Sequence, residues 1–149
     1  MISSQSETPS IRGRERAFAE AAQAAGKQVI VTRAGPTLYQ TGIEAARRLF
    51  ARADPPDGAF CVTDLLACGF MDSARHEFGV GIPDDLCVVG HDDIEQAGWE
   101  SYNLTTFRQP IEQIAEQISA LLMRETIPLR PEPLTFQPLP VWRKSVRPR

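Results

Sequence analysis

Apolar and polar positions alternate along this chain in blocks, and the block lengths predict helices and strands in turn. The opening, Ile2 to Ser10, is polar and strand-poor. Thr8 then offers a helix N-cap with Pro9 in the first helical position. Ala17, Phe18, Ala21, Ala22 and Ala25 recur at three- and four-residue steps, which predicts a helix to about Ala25, ended by Gly26. Gln28 to Thr32 is rich in β-branched residues and predicts a strand covered on both faces. Ala34-Gly35-Pro36 breaks the chain, and Gln40 to Ala53 carries Ile43, Ala46, Phe50 and Ala53 on one helical stripe. After the turn Asp54 to Gly58, Ala59 to Thr63 predicts a second buried strand and Asp64 to about Phe78 a helix, with Ala67, Phe70, Met71, Ala74 and Phe78 facing inward. Gly79 to Asp85 closes that helix, and Leu86 to Gly90 predicts a third buried strand. Asp92 and Glu95 then read as a capping box on a short helix or ordered loop. Leu104 to Phe107 predicts a short strand, and Pro110 opens the clearest helix, with Ile111, Ile114, Ala115, Ile118, Leu121 and Leu122 on one face. Beyond Ile127 the prolines at 128, 131, 133, 138 and 140 leave room only for a short edge strand, such as Leu134 to Gln137.

Regular alternation of helix and strand predicts an α/β fold of three layers, α/β/α, with a mainly parallel sheet and right-handed crossovers. In such sheets ligands bind beyond the carboxyl ends of the strands, where helix N-termini direct N–H donors. That rule selects Thr32, Arg33 and Gly35 after the first predicted strand, Thr63 and Asp64 after the second, and His91, Asp92 and Asp93 after the third. Arg14, near the start of the first helix, is placed to face the same crevice. Arginine, threonine and aspartate together form a donor-and-acceptor set suited to a polyhydroxylated ligand. Each aspartate also has a purely structural reading as a helix N-cap, and position alone does not separate the two. His91 beside two aspartates, with no nucleophile at a recognisable turn, is a poor catalytic set. Consecutive residues on an extended strand point to alternate sides, so His91, Asp92 and Asp93 do not converge on one metal ion.

Charge and composition narrow the function further. The chain has 149 residues, 42% hydrophobic and 23% charged, enough for one sizeable core. Sixteen basic against 19 acidic residues give a net charge of −3, so no chain-wide attraction for a nucleic-acid backbone exists. The tail residues Arg143, Lys144, Arg147 and Arg149 form a local basic cluster that reads as a solvated chain end. No apolar run reaches the ~18 residues of a membrane span, and no secretory leader pattern opens the chain, so a cytoplasmic location is expected. Cys61, Cys68 and Cys87 lie inside apolar runs without metal or redox spacing and are expected to be inert. Nucleophile-elbow, phosphate-loop and zinc-protease motifs are absent, and no cofactor is expected. Trp99 and Tyr102 read as a partner interface more readily than as a crevice lining.

Three stretches carry a resemblance. Asp57 to Gly98 resembles the strand, "ND-LA-G" helix, "G-x-x-(V/I)-P-D-D" turn and "V-V-G-(F/Y)-D-D" strand end of the effector-binding domain of LacI/GalR transcription regulators. Leu104 to Pro110 resembles the crossover that follows in that family. Ser10 to Phe18 and Val141 to Ser145 are similar to its "S…R-x-x-G-F" opening and "V-x-R-x-S" close. The resemblance implies the C-terminal lobe of a type I periplasmic-binding-protein-like fold, a two-lobed clamp around a small ligand. It implies effector contacts at Arg14, Tyr39, Thr63, Asp92 and Gln109, no catalytic residue and no metal. It also implies a homodimer through Ala67, Cys68, Met71, Ala97 and Trp99. The implied division is 1–109 as the effector-binding lobe, incomplete at its start, 110–126 as a helix that packs on an absent N-terminal lobe, and 127–149 as a returning edge strand and basic tail. The expected effector is a carbohydrate, with nucleobases open, and DNA is reached only through a headpiece outside this chain. The alternative is one lobe of a sugar-binding protein for transport. Thr63 stands where the family usually has asparagine and His91 where it has an aromatic, so no relative's effector can be inherited.

Overall fold

The computed structural model describes residues 1–123 and 134–148. Strands β1 (Ile2–Ser3) and β2 (Thr32–Arg33) pair in parallel, as do β3 (Gly58–Phe60) and β4 (Cys87–Val89). β5 (Thr106–Arg108) pairs antiparallel with β6 (Leu139–Val141). Parallel bridges from Ile2 to Cys61 and from Val89 to Thr105 join the pairs, giving the order β2-β1-β3-β4-β5-β6. Helices α1 (Pro9–Ala24), α2 (Tyr39–Phe50) and α3 (Asp64–Phe78) are the crossovers, and α4 (Ile111–Leu122) follows β5. Right-handed crossovers on this order put α1 on one face and α2 with α3 on the other. Phe18 of α1 stacks on Phe60 of β3, ring centroids 4.8 Å apart, while Phe50 of α2 packs against Phe70 and Phe78 of α3. The mainly parallel α/β architecture read from the sequence is therefore the observed one. Among the described residues no helix is long and apolar enough to cross a membrane.

The core is centred on Phe70, Leu66 and Met71 of α3, Leu49 of α2, and Ile2, Val62 and Val88 of the sheet, all essentially inaccessible to water. Each such side chain contributes about 1.5–3 kcal/mol of burial. Helices α2 and α3 approach backbone to backbone at two glycines. A Cβ on Gly42 would lie 2.1 Å from the carbonyl oxygen of Leu66, and one on Gly69 would lie 2.0 Å from that of Tyr39.

Four local expectations need correcting. The polar opening holds β1: Ile2 is fully buried and bonded on both sides, its strand hidden because it is two residues long within a serine-rich run. The strand expected over Gln28 to Thr32 is confined to Thr32–Arg33, because β1 offers so short a partner, and Val31 is exposed. The last strand lies at Leu139–Val141 rather than Leu134 to Gln137, with Pro140 tolerated because β6 is paired on one side only. Asp92 caps no helix, since the short 3-10 turn Glu95–Gly98 starts after Ile94 without a side-chain cap. The division near 126–127 and Arg149 lie outside the described residues.

Helix α4 buries no residue. Its apolar face is bare, with Ile111 58%, Ile118 52% and Leu122 74% exposed.

Candidate functional site

The order β2-β1-β3 reverses direction of winding between β1 and β3, and that switch point is where a crevice opens beyond the strand ends. Arg14, on the second turn of α1, reaches across it. Its Nη1 donates to the carbonyl of Val62 at the end of β3 (2.7 Å), and its Nη2 lies 2.8 Å from Asp92 Oδ1. Gln109, just past β5, donates Nε2 to the same Oδ1 at 2.7 Å, and His91 Nδ1 stands 3.2 Å from it. One carboxylate oxygen thus gathers three side chains from α1, β4 and β5, while no protein hydrogen bond to Oδ2 is seen among the described residues. Burial works to raise the Asp92 carboxyl. The hydrogen bond from His91, the Arg14 charge and the Gln109 amide outweigh it, so the group is held below the usual carboxylate value. The site therefore offers an ionised acceptor, a fixed guanidinium with N–H groups to spare, and an amide oxygen.

Of the five sequence-predicted effector residues, Arg14, Asp92 and Gln109 converge here. Thr63 lies one residue beyond the Val62 carbonyl that Arg14 holds, but its hydroxyl accepts from the Leu66 N–H and caps α3. Tyr39 turns away: its hydroxyl donates to Asp72 on α3 at 2.6 Å, beside Tyr102, which donates to the same oxygen at 2.8 Å. That hydrogen bond to a carboxylate raises the Tyr39 phenol to about 12. Asp64 is structural. It is fully buried and accepts from the Thr106 hydroxyl (2.6 Å) and the Ile94 N–H (3.0 Å), while burial raises its carboxyl.

A groove of about 840 Å³ runs from this polar end along the α1 face of the sheet. Arg14 and His91 stand at one end. Phe18, Phe60, Val89 and Phe107 make its walls, and Asp92 and Gln109 lie outside its lining.

Sequence reading missed the ion pairs that brace the rim. Glu15, 6% exposed, accepts Nε and Nη2 of Arg33 at 2.9 and 2.8 Å and Nη1 of Arg12 at 2.7 Å. Arg33 is 18 positions away in the chain, and no local pattern announces such a pair. The Arg33 bonds, with Arg12, hold the Glu15 carboxyl down to about 2 from an ordinary 4.5. Its folded value is depressed, so its stabilisation is present above pH ~4.5 and is lost as pH falls towards ~2. Glu15→Gln should lower stability at neutral pH and flatten the acid limb of a plot of Tm against pH, as calorimetry from acid to neutral pH would show.

The implied dimer residues are mostly core. Ala67, Met71 and Ala97 have no accessible surface and Cys68 is 3% exposed, because α3 is clasped by α2 and the sheet; of the five only Trp99 presents surface. Burial raises the thiol of Cys68 to about 12 and that of Cys61 further, which suppresses the reactive thiolate.

This chain has counterparts among known proteins. The family described as a periplasmic binding protein-like domain matches residues 1–146. The HTH-type transcriptional repressor PurR of Photobacterium profundum is 32% identical over 139 residues, 92% of this chain and 41% of the relative. The chain thus spans about two fifths of that relative's length. An uncharacterized protein from Actinobacillus succinogenes superposes with a TM-score of 0.87 at 26% identity, covering 98% of this chain and 55% of the other. A transcriptional regulator CelR–cellobiose complex superposes with a TM-score of 0.78 at 28% identity, covering 97% of this chain and 46% of the other.

Proposed function

We propose, for a chain that belongs to the periplasmic binding protein-like domain family in its LacI/GalR effector-binding form, that it senses a small polar ligand, a carbohydrate, on behalf of a transcription regulator. The observation that carries this reading is the Arg14–Asp92–Gln109 cluster: an acceptor oxygen left open, a spare guanidinium edge and an amide, each fixed by protein bonds before a ligand arrives. Vicinal hydroxyls donate to a carboxylate and accept from a guanidinium in one plane, which matches this set. The apolar walls of the groove suit the C–H face of a sugar ring, and a relative's structure holds cellobiose.

In this reading the chain performs no chemistry. Ligand bound at Asp92 competes with Gln109, the residue that leads into α4, and so shifts the balance between arrangements of the clamp. The bare face of α4 is where a second lobe would pack, residues 1–109 form the ligand-holding lobe, and 134–148 return to it. Operator contact falls to sequence outside these residues, which carry a net charge of −3. Pairing of two copies, if made on the implied surface, runs through Trp99. Cytoplasmic location follows from the regulatory role.

NMR chemical-shift perturbation of the labelled chain tests this, with cellobiose, glucose, ribose, hypoxanthine and guanine as probes. Cellobiose or another sugar should move the Arg14 and Gln109 side-chain resonances, and Asp92→Ala should weaken binding at least tenfold, about 1.4 kcal/mol or more. Response to the bases alone would replace the carbohydrate by a heterocycle, and no response to any probe at millimolar concentration would overturn the reading.

A further inference from the structure

The two aspartates that end β4 both have backbone in the region that L-residues rarely adopt, φ 124 at Asp92 and φ 55 at Asp93. Among the described residues only one other non-glycine, Asn103, does so. Such conformations persist when surrounding bonds over-determine them. Around Asp92 the backbone is tied on both sides: its N–H donates to the carbonyl of Phe107 (2.9 Å) and the carbonyl of His91 accepts from Asp64 N–H (2.8 Å). Asp93 supplies the rest. Its side chain is 5% exposed, with Oδ1 accepting from Arg143 Nη2 (2.7 Å) and Oδ2 from Arg108 Nε (2.6 Å). Arg143 is itself anchored, since its Nη1 donates to the carbonyl of Leu104 at 2.8 Å and its backbone exchanges hydrogen bonds with the Thr105 hydroxyl.

We propose that Asp93 is a positioning residue for the effector site: gripped by Arg143 beyond β6 and Arg108 on β5, it sets the backbone twist that turns the carboxylate of Asp92 onto Arg14 and Gln109. This rests on the effector-site reading for its purpose but not for its geometry. The returning C-terminal segment becomes part of the site's aiming device through Arg143, which is 50 positions from Asp93 in the chain. Consecutive residues would otherwise send their side chains to alternate sides of a strand without defining where Asp92 comes to rest. Two charge-assisted bonds on a buried carboxylate define it.

The test reads Asp92 directly. In the 13C-aspartate-labelled full chain, the Asp92 carboxyl is titrated by NMR in wild type, Asp93→Asn and Arg143→Met. Asparagine tolerates positive φ, so Asp93→Asn removes the charged grip without adding backbone strain. In both variants the Gln109 side-chain amide should lose the shift its bond confers, and in Asp93→Asn the Asp92 titration should move up towards the ordinary carboxylate value, against the lowering that loss of a neighbouring negative charge alone would give. Val88→Ala, a core change expected to lower Tm comparably, should leave the Asp92 titration where it is. If Asp93→Asn does not fold, Arg108→Met, at a largely exposed guanidinium, should give a smaller shift in the same direction. Folded variants whose Asp92 titrates as in wild type would overturn the proposal. The titration needs no ligand, so a failure of every probe sugar counts against the effector reading alone.

Discussion

Alanine at Gly69 is expected to lower the Tm of this chain by roughly 10 °C, about 3 kcal/mol at this size. The added Cβ would sit 2.0 Å from the carbonyl oxygen of Tyr39 and 2.9 Å from its carbonyl carbon, and both are backbone atoms with no rotamer to escape into. Relief requires α2 and α3 to separate, and their contact carries Phe70 and Leu66, the centre of the core. Gly42 makes the reciprocal approach, its Cβ meeting Leu66 O at 2.1 Å and Phe70 N at 2.8 Å. The two substitutions act on one interface, so the double variant should cost less than the sum of the single ones. Gly13, on α1 with nothing within 4 Å of a Cβ, is the contrast. Gly13→Ala should stabilise slightly through helix propensity. Differential scanning calorimetry of the four variants checks the set, and a Tm for Gly69→Ala within about 2 °C of wild type would refute the close approach.

Asp64→Ala is expected to cost about 3 kcal/mol, because it strands two buried partners at once. The Thr106 hydroxyl and the Ile94 N–H both donate to this carboxylate, and they belong to β5 and to the loop that carries Asp92 and Asp93 forward. Loss of the carboxylate loosens that loop as well as the core. Space for the group was made in the sequence: a Cβ on Gly90 would lie 2.1 Å from Asp64 Oδ1. Asp64→Asn keeps one acceptor oxygen and should cost less than alanine. The sign with pH runs opposite to that of Glu15. Burial raises the Asp64 carboxyl, so the folded state holds its proton more tightly than the unfolded one. Its contribution is complete below the ordinary carboxylate value and declines as pH rises through the raised one. Urea titrations under acid and neutral conditions should therefore show a smaller wild-type-minus-Asn difference at neutral pH, and the reverse trend would show that the bonds outweigh the burial.

Legibility of the fold follows the length of the patterns. α3 and α4 repeat their apolar residues over three turns and can be read almost to the residue, and the buried strands β3 and β4 announce themselves as short apolar runs. β1 is two residues in a serine-rich opening, too short for any periodicity to register, although it lies mid-sheet. At the site, Arg14 and Asp92 are marked by the rule of strand ends and by resemblance, and the structure sets them 2.8 Å apart. Tyr39 is misplaced by the same reasoning, since nothing local in the chain foretells that its hydroxyl finds Asp72, 33 positions on.

By itself the sequence determined the four helices, the segments of β3 and β4, the α/β class and the family, because these depend on residue order at separations of a few positions. Only the tertiary structure decided that Glu15 braces Arg33, that Asp64 serves the core, and that Asp93 is gripped by Arg108 and Arg143 while its neighbour Asp92 faces Arg14. Those pairings join residues 15 to 50 positions apart and, for Arg14 with Asp92, further still. A charged side chain chooses among such partners by burial and direction, which arise only when the sheet has assembled and excluded water around them.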